Sequence, residues 1–536
     1  MRAEVDVLVV GGGPVGLQTA LELQQRGVEH LVIDQRPHPD YYCKALSLTP
    51  RTLEVWDQCG VLQEALRRGA FFAGMEASVD HGPVTREVID AAAMPYGFLN
   101  LAQYDTEEIL RAALGRHGGR VHQGARLTGF ATRTDGVLAR VATPDGEREI
   151  ACRWLVGCDG AHSTVRHALG IQYEGDAYAM TFMLGDVRLD WDRSHAFGQR
   201  FTQLENGELR NILICIPIPG DPKRYRISCA APPELQDDAA DLSRPPTLEA
   251  LAEIAAPILP AGTKVSDLRW SSYYRISHRI VSRYAQERGF LVGDAAHIHP
   301  PIGGQGMNTG LQDAHNLAWK LALAAKGRAA ADLLESYDAE RRPVGLDVVA
   351  RTTRRMDASL EKGEIRFDQW LEDSQLLIGY RDSRWVSQDD APGAAGAAAR
   401  GPRPGDRAPD AGGLARAWVA APTRVADLVR APGHVLLLYF GAHATADDFA
   451  RAASLEGRVQ ERFGDEVATW GVAAPDARVV ELERFPILRD AAGEYASAYG
   501  ASGTCLYVLR PDRHVGYRAA RLDVAALEQA LARTLA

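Results

Sequence analysis

Six residues near the start of the chain constrain its fold more than any other stretch: Gly11-Gly12-Gly13-Pro14-Val15-Gly16. They follow a compact apolar run, Val5-Asp6-Val7-Leu8-Val9-Val10, and precede Leu17–Arg26, which keeps helical periodicity until Gly27. Gly11, Gly13 and Gly16 stand in G-x-G-x-x-G spacing, and each has a separate task in a strand–turn–helix unit. The first permits the tight turn, the second lets backbone approach a pyrophosphate, and the third lets the helix, opened by Pro14 and Val15, pack closely on the strand. The helix N-terminus offers free N–H groups and a partial positive charge to the phosphates. A second strand, His30–Ile33, ends in Asp34, eighteen residues after Gly16. With Gln35 beside it, Asp34 is placed to accept hydrogen bonds from the ribose hydroxyls of an adenosine. A G-x-G-x-x-G alone is weak evidence; strand, glycines, helix, strand and acid in this order are specific for a dinucleotide. They do not separate NAD from FAD.

Composition narrows the setting. The net charge of −10 (60 Lys and Arg against 70 Asp and Glu in 536 residues) is mild and dispersed, and argues against a nucleic-acid partner, which would want a basic face. Cys43, Cys59, Cys152, Cys158, Cys215, Cys229 and Cys505 are scattered, with no C-x-x-C, so neither a zinc site nor a dithiol pair is written in the chain. A reducing cytoplasm is expected. No signal-peptide pattern opens the sequence, and apolar runs such as Val435–Phe440 fall far short of the roughly 18–20 residues that span a bilayer. The expectation is a cytoplasmic protein without membrane contact, monomeric or homodimeric.

Three textures follow one another. Residues 1–180 alternate short β-branched runs with helical patterns, the rhythm of a doubly wound α/β domain. Between 180 and 280, Phe201–Leu204, Leu209–Ile216 and Arg224–Cys229 read as antiparallel strands between turn signals such as Asn206-Gly207. From Gly289 the first texture returns, so a discontinuous domain (1–180 and 280–388) with an inserted sheet (180–280 plus part of 70–105) is expected. Residues 389–413, rich in Pro, Gly and Ala, read as a linker or surface strap, and 414–536 as a small α/β domain.

Two further motifs decide the nucleotide. Trp154-Leu155-Val156-Gly157-Cys158-Asp159-Gly160 runs a strand into an Asp-Gly turn, and Gly289-Phe290-Leu291-Val292-Gly293-Asp294 opens a second segment continuing through His297, His299, Pro300, Pro301 and Gly303-Gly304-Gln305-Gly306-Met307-Asn308. These resemble the DG and GD motifs of the FAD-dependent aromatic hydroxylases related to 4-hydroxybenzoate hydroxylase, with closest likeness to the phenol hydroxylase branch that includes pentachlorophenol monooxygenase. The resemblance implies an FAD-binding, Rossmann-like domain of glutathione reductase type, an inserted, mostly antiparallel substrate sheet and a C-terminal thioredoxin-like domain. It implies that Asp159 and Gly160 serve the FAD site and that Asp294 binds a ribityl hydroxyl. It places Pro301 beside the isoalloxazine ring, and Gly304, Gly306 and the N–H groups of Met307 and Asn308 at its pyrimidine edge. Lys44 stands where the family has an arginine near the pyrophosphate, keeping the charge but not the bidentate geometry. Gln103 matches a family position at the ribityl chain, and Glu107 reads as structural.

The activity so implied is NAD(P)H-dependent monooxygenation. A flavin C4a-hydroperoxide, formed with O2, transfers an oxygen to a phenolic or polycyclic aromatic ring. Cofactor chemistry of this kind needs no metal and no triad, and His297 and His299, two apart, lack a partner ligand pattern. A base to deprotonate the phenol is expected. Related phenol hydroxylases carry an Asp shortly before the segment matching Arg51-Thr52-Leu53-Glu54, but Leu46 stands there, which leaves His299, Tyr42, Tyr273 and Tyr274 as candidates. Around the ring, the sheet and the region of Phe71, Phe72 and Met75 are expected. Baeyer–Villiger or epoxidising chemistry on the same motifs, and a non-catalytic binder on the same fold, are the alternatives. With Cys505 alone in the C-terminal domain, dithiol chemistry is excluded there.

Overall fold

The computed structural model describes residues 3–39, 41, 43–237, 241–362, 369–389, 401–479 and 484–536. The opening apolar run forms strand Glu4–Val10, the centre of a sheet in which His30–Asp34, Gly146–Gly157, Gly289–Leu291 and Val121–Gln123 all run parallel. Buried on both faces, Glu4–Val10 carries Val7, Leu8 and Val9 with no exposure, as an inner parallel strand requires. Helix Pro14–Gln25 packs on it beside helix Gln305–Ala325, so two helix N-termini open at the same carboxyl end of the sheet. That end is where ligands enter parallel sheets.

The inserted sheet is larger than its sequence signals. Tyr173–Asp190 and Lys264–Val281 are 18-residue antiparallel strands; Phe197–Glu205, Glu208–Pro217 and Arg224–Ala230 extend the predicted strands by a few residues at most, and Gly74–Val79 with Thr85–Val88 complete one edge. Between their bulges its strands alternate. Met183, Val187, Leu213, Cys215, Tyr225, Ile227 and Cys229 point to one face and are buried beneath helix Leu248–Ala255. On the opposite face Phe182 and Tyr274 pack near Ile302 and Met356, and Ile216 and Trp270 near Cys43 and Leu46.

A third sheet of eight strands holds the C-terminal part, with His434–Phe440 fully buried at its centre. His434–Phe440, helix Ala446–Phe463 and parallel Val467–Ala473 form one unit; antiparallel Cys505–Leu509 and Val515–Ala519, then helix Val524–Leu531, form another. Ser387–Asp389 pairs with Val515–Ala519, so the chain enters this sheet just before the expected linker and at its first residue, Asp389. Residues 401–413 hug it too: Ala408 and Ala411 are buried, and Gly405 N donates to Val515 O. Among the described residues no helix is long and apolar enough to cross a membrane.

Candidate active site

Helix Pro14–Gln25 begins at Gly13 with no side chain capping its first N–H groups, and a Cβ at Gly13 would meet nothing within 4 Å. That backbone therefore faces open space. Gly16, by contrast, sits against the Gly11 carbonyl. The turn at Gly11 (φ 109°) and the close contact at Gly16 are backbone requirements, while Gly13 leaves room beside the helix start. Asp34 is buried and already engaged: Oδ2 accepts from Gly12 N (2.7 Å), Oδ1 from Arg36 N (2.8 Å), and the Arg36 guanidinium bridges both oxygens. Burial raises its carboxyl, but the Arg36 bonds prevail and hold it below the usual range. Gln35 is exposed beside it.

On the far side of the same cleft, Asp294 follows the last parallel strand. It is deep among protein atoms, which pushes its carboxyl upward, yet its side chain is exposed. A carboxylate that is both deep and open lines a cleft. Gly303 (φ 75°) and Gly304 (φ 64°) turn the chain left-handed into helix Gln305–Ala325, whose first turn has no side-chain cap. The Asn308 side chain fastens this turn, donating to Ser47 O and Gly304 O and accepting from Thr49 N. Pro301 is exposed at the mouth, and Gly306 and Met307 are half-buried.

Two expected residues have other work. Asp159 accepts from Ser163 Oγ (2.5 Å) and Val165 N (3.1 Å), so its carboxylate shapes the turn into helix Thr164–Ala168 and leaves Gly160 to line the cleft by its backbone. Gln103 accepts from Lys44 N and Ala45 N and donates to Glu107, pinning the segment that carries the exposed Lys44. Tyr42 lies outside the described residues.

The open face of the inserted sheet stands across from the Gly303–Asn308 turn. Registered rows run across it: Tyr274–Phe182–Ala230, Ser272–Leu184–Ser228–Ile214, and Trp270–Asp186–Arg226–Ile216. Phe182, Leu184, Ile214, Ile216 and Tyr274 are only half-buried, whereas Thr181, Met183, Gly185, Leu213, Cys215 and Pro217 beside the first four are buried, and Phe182 stacks on Tyr274 (5.7 Å, 26°). Tyr274 therefore faces the cleft while Tyr273 turns to the covered side. Met75 is buried in the same layer and Phe72 packs near Gly198, but Phe71 points to solvent.

His299 directly follows the short strand His297–Ile298, which pairs with Lys264–Val281 at the edge of the inserted sheet. Its Nδ1 lies 2.9 Å from the Pro300 carbonyl, which only accepts, so Nδ1 carries the proton and Nε2 is a lone pair. Nε2 is buried without a partner among the described residues, near Gly306. Burial, with His297 adding to it, lowers the imidazole to about 4 and keeps it neutral. His297 bonds Asp313 instead (2.8 Å), so the two imidazoles do not converge on one point. Glu22, Cys59 and His315 do gather elsewhere, but Glu22 is occupied: against its burial, His315 and Arg26 draw it down to about 2.

Sequence reasoning missed two groups. Arg226 and Asp186 form a buried two-pronged pair (2.8 and 2.9 Å) on the open face, with Arg226 Nη1 donating to Lys44 O and the guanidinium 5.4 Å from the Trp270 ring. Their signal was a charged residue at the inward phase of two apolar strands. Asp373, at Gly303, is the second, and no local pattern announces it.

Residues 4–352 match the family model described as FAD binding domain. The chain belongs to this family of flavin-dependent aromatic monooxygenases. The flavoprotein is 35% identical over 356 residues to 12-dehydrotetracycline 5-monooxygenase/anhydrotetracycline 6-monooxygenase of Streptomyces rimosus, covering 65% of this chain and 68% of that one. It is 28% identical over 547 residues to pentachlorophenol 4-monooxygenase of Sphingobium chlorophenolicum, covering 96% and 94%. Among solved structures, aklavinone-11 hydroxylase in a ternary complex with FAD and aklavinone superposes with a TM-score of 0.79 at 28% identity, over 99% of each chain. The cofactor is FAD, and the open Gly13 backbone, the cleft-lining Asp294 and the uncapped flavin-side helix fit it.

Proposed function

We propose that the flavoprotein hydroxylates a planar phenolic or polycyclic aromatic substrate held between the open face of the inserted sheet and the Gly303–Asn308 turn. The observation that carries this is the half-buried apolar face of Phe182, Leu184, Ile214, Ile216 and Tyr274, opposite an uncapped helix N-terminus. Relatives named for tetracycline, pentachlorophenol and aklavinone chemistry support a ring of this kind. FAD, when bound, supplies electron transfer from NADH or NADPH and the activation of O2.

The residues divide the remaining work. Gly11, Gly13, Pro14, Val15 and Gly16 present backbone to the pyrophosphate, and Lys44 adds a mobile charge. Asp34, steadied by Arg36, takes the adenosine ribose with Gln35 at its side. Asp294 holds the ribityl chain, with Gln103 acting through the 44–45 backbone, and Asp159 shapes the Gly160 turn. Gly304 and Gly306 let the N–H groups of Met307 and Asn308 approach the isoalloxazine ring, where a helix N-terminus stabilises negative charge. Pro301 walls the ring. The neutral His299 keeps an Nε2 lone pair beside Gly306 as a hydrogen-bond acceptor, and at about 4 it is too weak a base to hold a phenol's proton itself.

From His434 the C-terminal part runs β-α-β-β-α-β-β-α, an order that supports a thioredoxin-like reading, and its single cysteine, Cys505, supports a packing role. Purified protein should be yellow. A panel of phenols, naphthols and hydroxyanthraquinones should include members that accelerate NAD(P)H oxidation and gain an oxygen by mass spectrometry; a panel in which every member leaves oxidation at its basal rate refutes the reading.

A further inference from the structure

The turn that delivers the flavin-side helix is held from behind by a carboxylate. Asp373 ends the short helix Trp370–Asp373 and is fully buried. Its Oδ1 accepts from Gln305 Nε2 (2.9 Å) and Arg355 Nη1 (2.7 Å). Gln305 is the first residue of helix Gln305–Ala325, and its own Oε1 accepts from Arg351 Nη2 (3.1 Å). A Cβ at Gly303 would lie 2.7–2.8 Å from the Asp373 carboxyl group, so glycine is required there by contact as well as by its φ of 75°. Asp373 Oδ2 has no hydrogen-bond partner among the described residues. The segment beyond is tied to the same helix: Gln375 Nε2 donates to Thr309 Oγ1 (2.8 Å). Toward the substrate sheet, Trp370 meets Phe98 and Phe72 edge-on at 5.7 and 6.3 Å, and Phe72 belongs to the layer of Met75 and Gly198.

One short helix thus touches the aromatic wall with its first residue and the flavin-side turn with its last. We propose that Asp373 is a positioning residue: with Arg355 it sets the Gly303–Gly304 turn and the electrostatic potential at the helix N-terminus, and so tunes the redox potential of FAD bound there. The proposal rests on the functional reading above and goes beyond it. The charges facing the carboxylate are Arg355 and Arg351 from the long helix Glu335–Lys362 and Glu372 on its own turn. Asp373 and Arg355 neutralise one another. Removing the carboxylate alone leaves Arg355 uncompensated beside the site where reduction adds negative charge, which favours the reduced form.

The test is spectroelectrochemical, on the full chain loaded with FAD. Asp373→Asn should raise the two-electron midpoint potential of bound FAD. The double variant Asp373→Asn/Arg355→Gln, with local charge restored, should return toward the wild-type value. A purely structural role predicts the double variant at least as perturbed as the single one. An unmoved potential in Asp373→Asn, or a double variant no nearer to wild type, overturns the proposal. Should Asp373→Asn lose FAD, recovery of FAD by the double variant supports it, and equal loss overturns it. Wild-type protein that takes up no FAD would instead refute the functional reading itself.

Discussion

Gly13 and Gly16, three residues apart, carry opposite expectations. Ala at Gly16 would drive a methyl into the Gly11 carbonyl, so Gly16→Ala should lower stability by about 1–3 kcal/mol, read as a fall in Tm of the FAD-free protein. Gly13→Ala meets nothing within 4 Å and should leave that Tm almost unchanged while weakening FAD binding by titration. Asp294→Ala should likewise cut FAD retention; unchanged flavin content and reduction rate would refute its ribityl role. His299 gives a pH signature. Burial lowers it to about 4 from an ordinary value near 6.5, so the unfolded chain takes up the proton first. The stability this neutral imidazole contributes is complete above pH 6.5 and is lost as pH falls toward 4, by up to about 3 kcal/mol. His299→Gln should flatten that part of the stability–pH curve in urea titrations. At this scale the glycine motif was fully legible, because each glycine answers to neighbours a few residues away. Asp34, Asp159 and Gln103 were legible in position only. Their partners Arg36, Ser163 and Lys44 show that the carboxylates and amide first build the loops they stand on.

Helix Gln305–Ala325 works at both ends. Its first turn faces the cleft, while Trp319 and Leu323 belong to the core of the C-terminal part. Between them lies a fully buried charge network: Lys320 Nζ donates to Glu340 (2.7 Å), Arg510 holds both Glu340 oxygens (2.6 and 2.8 Å), and Arg510 also binds Asp512. Burial lowers Lys320 to about 8 even so. Glu340→Gln would leave two buried cations short of a counter-charge and should cost about 3–5 kcal/mol in denaturant unfolding, whereas exposed pairs such as Arg458–Glu461 should cost almost nothing. The helix itself was readable from its periodicity. Its charged partners were not, because Glu340 and Arg510 are 20 and 190 residues from Lys320, and nothing in a local pattern couples them.

At the scale of the whole molecule the C-terminal part is a buttress. Ending the chain at residue 389 would bare Trp319 and Leu323 and strip Arg510 from Glu340. Such a truncation should aggregate or lose its cooperative thermal transition, and a soluble fragment with the full-length Tm would refute the buttress role. Ser387–Asp389 already shows the coupling, since those residues pair with Val515–Ala519 across the expected linker.

The FAD-binding half was determined by the amino-acid sequence itself. The groups proposed for phosphate, ribose and ribityl chain stand at strand ends and helix starts, and the residues that form such ends are neighbours in the chain. The half-buried face proposed for the aromatic ring, and its supports, were decided only by the tertiary structure. Phe182, Ile214 and Tyr274 become one surface through strand register, Arg226 meets Asp186 across two strands, and Asp373 reaches Gly303 from 70 residues away. Strand alternation makes an inward residue and an outward one look alike in sequence, and only the sheet's packing against helix Leu248–Ala255 settles which face is left open for a substrate.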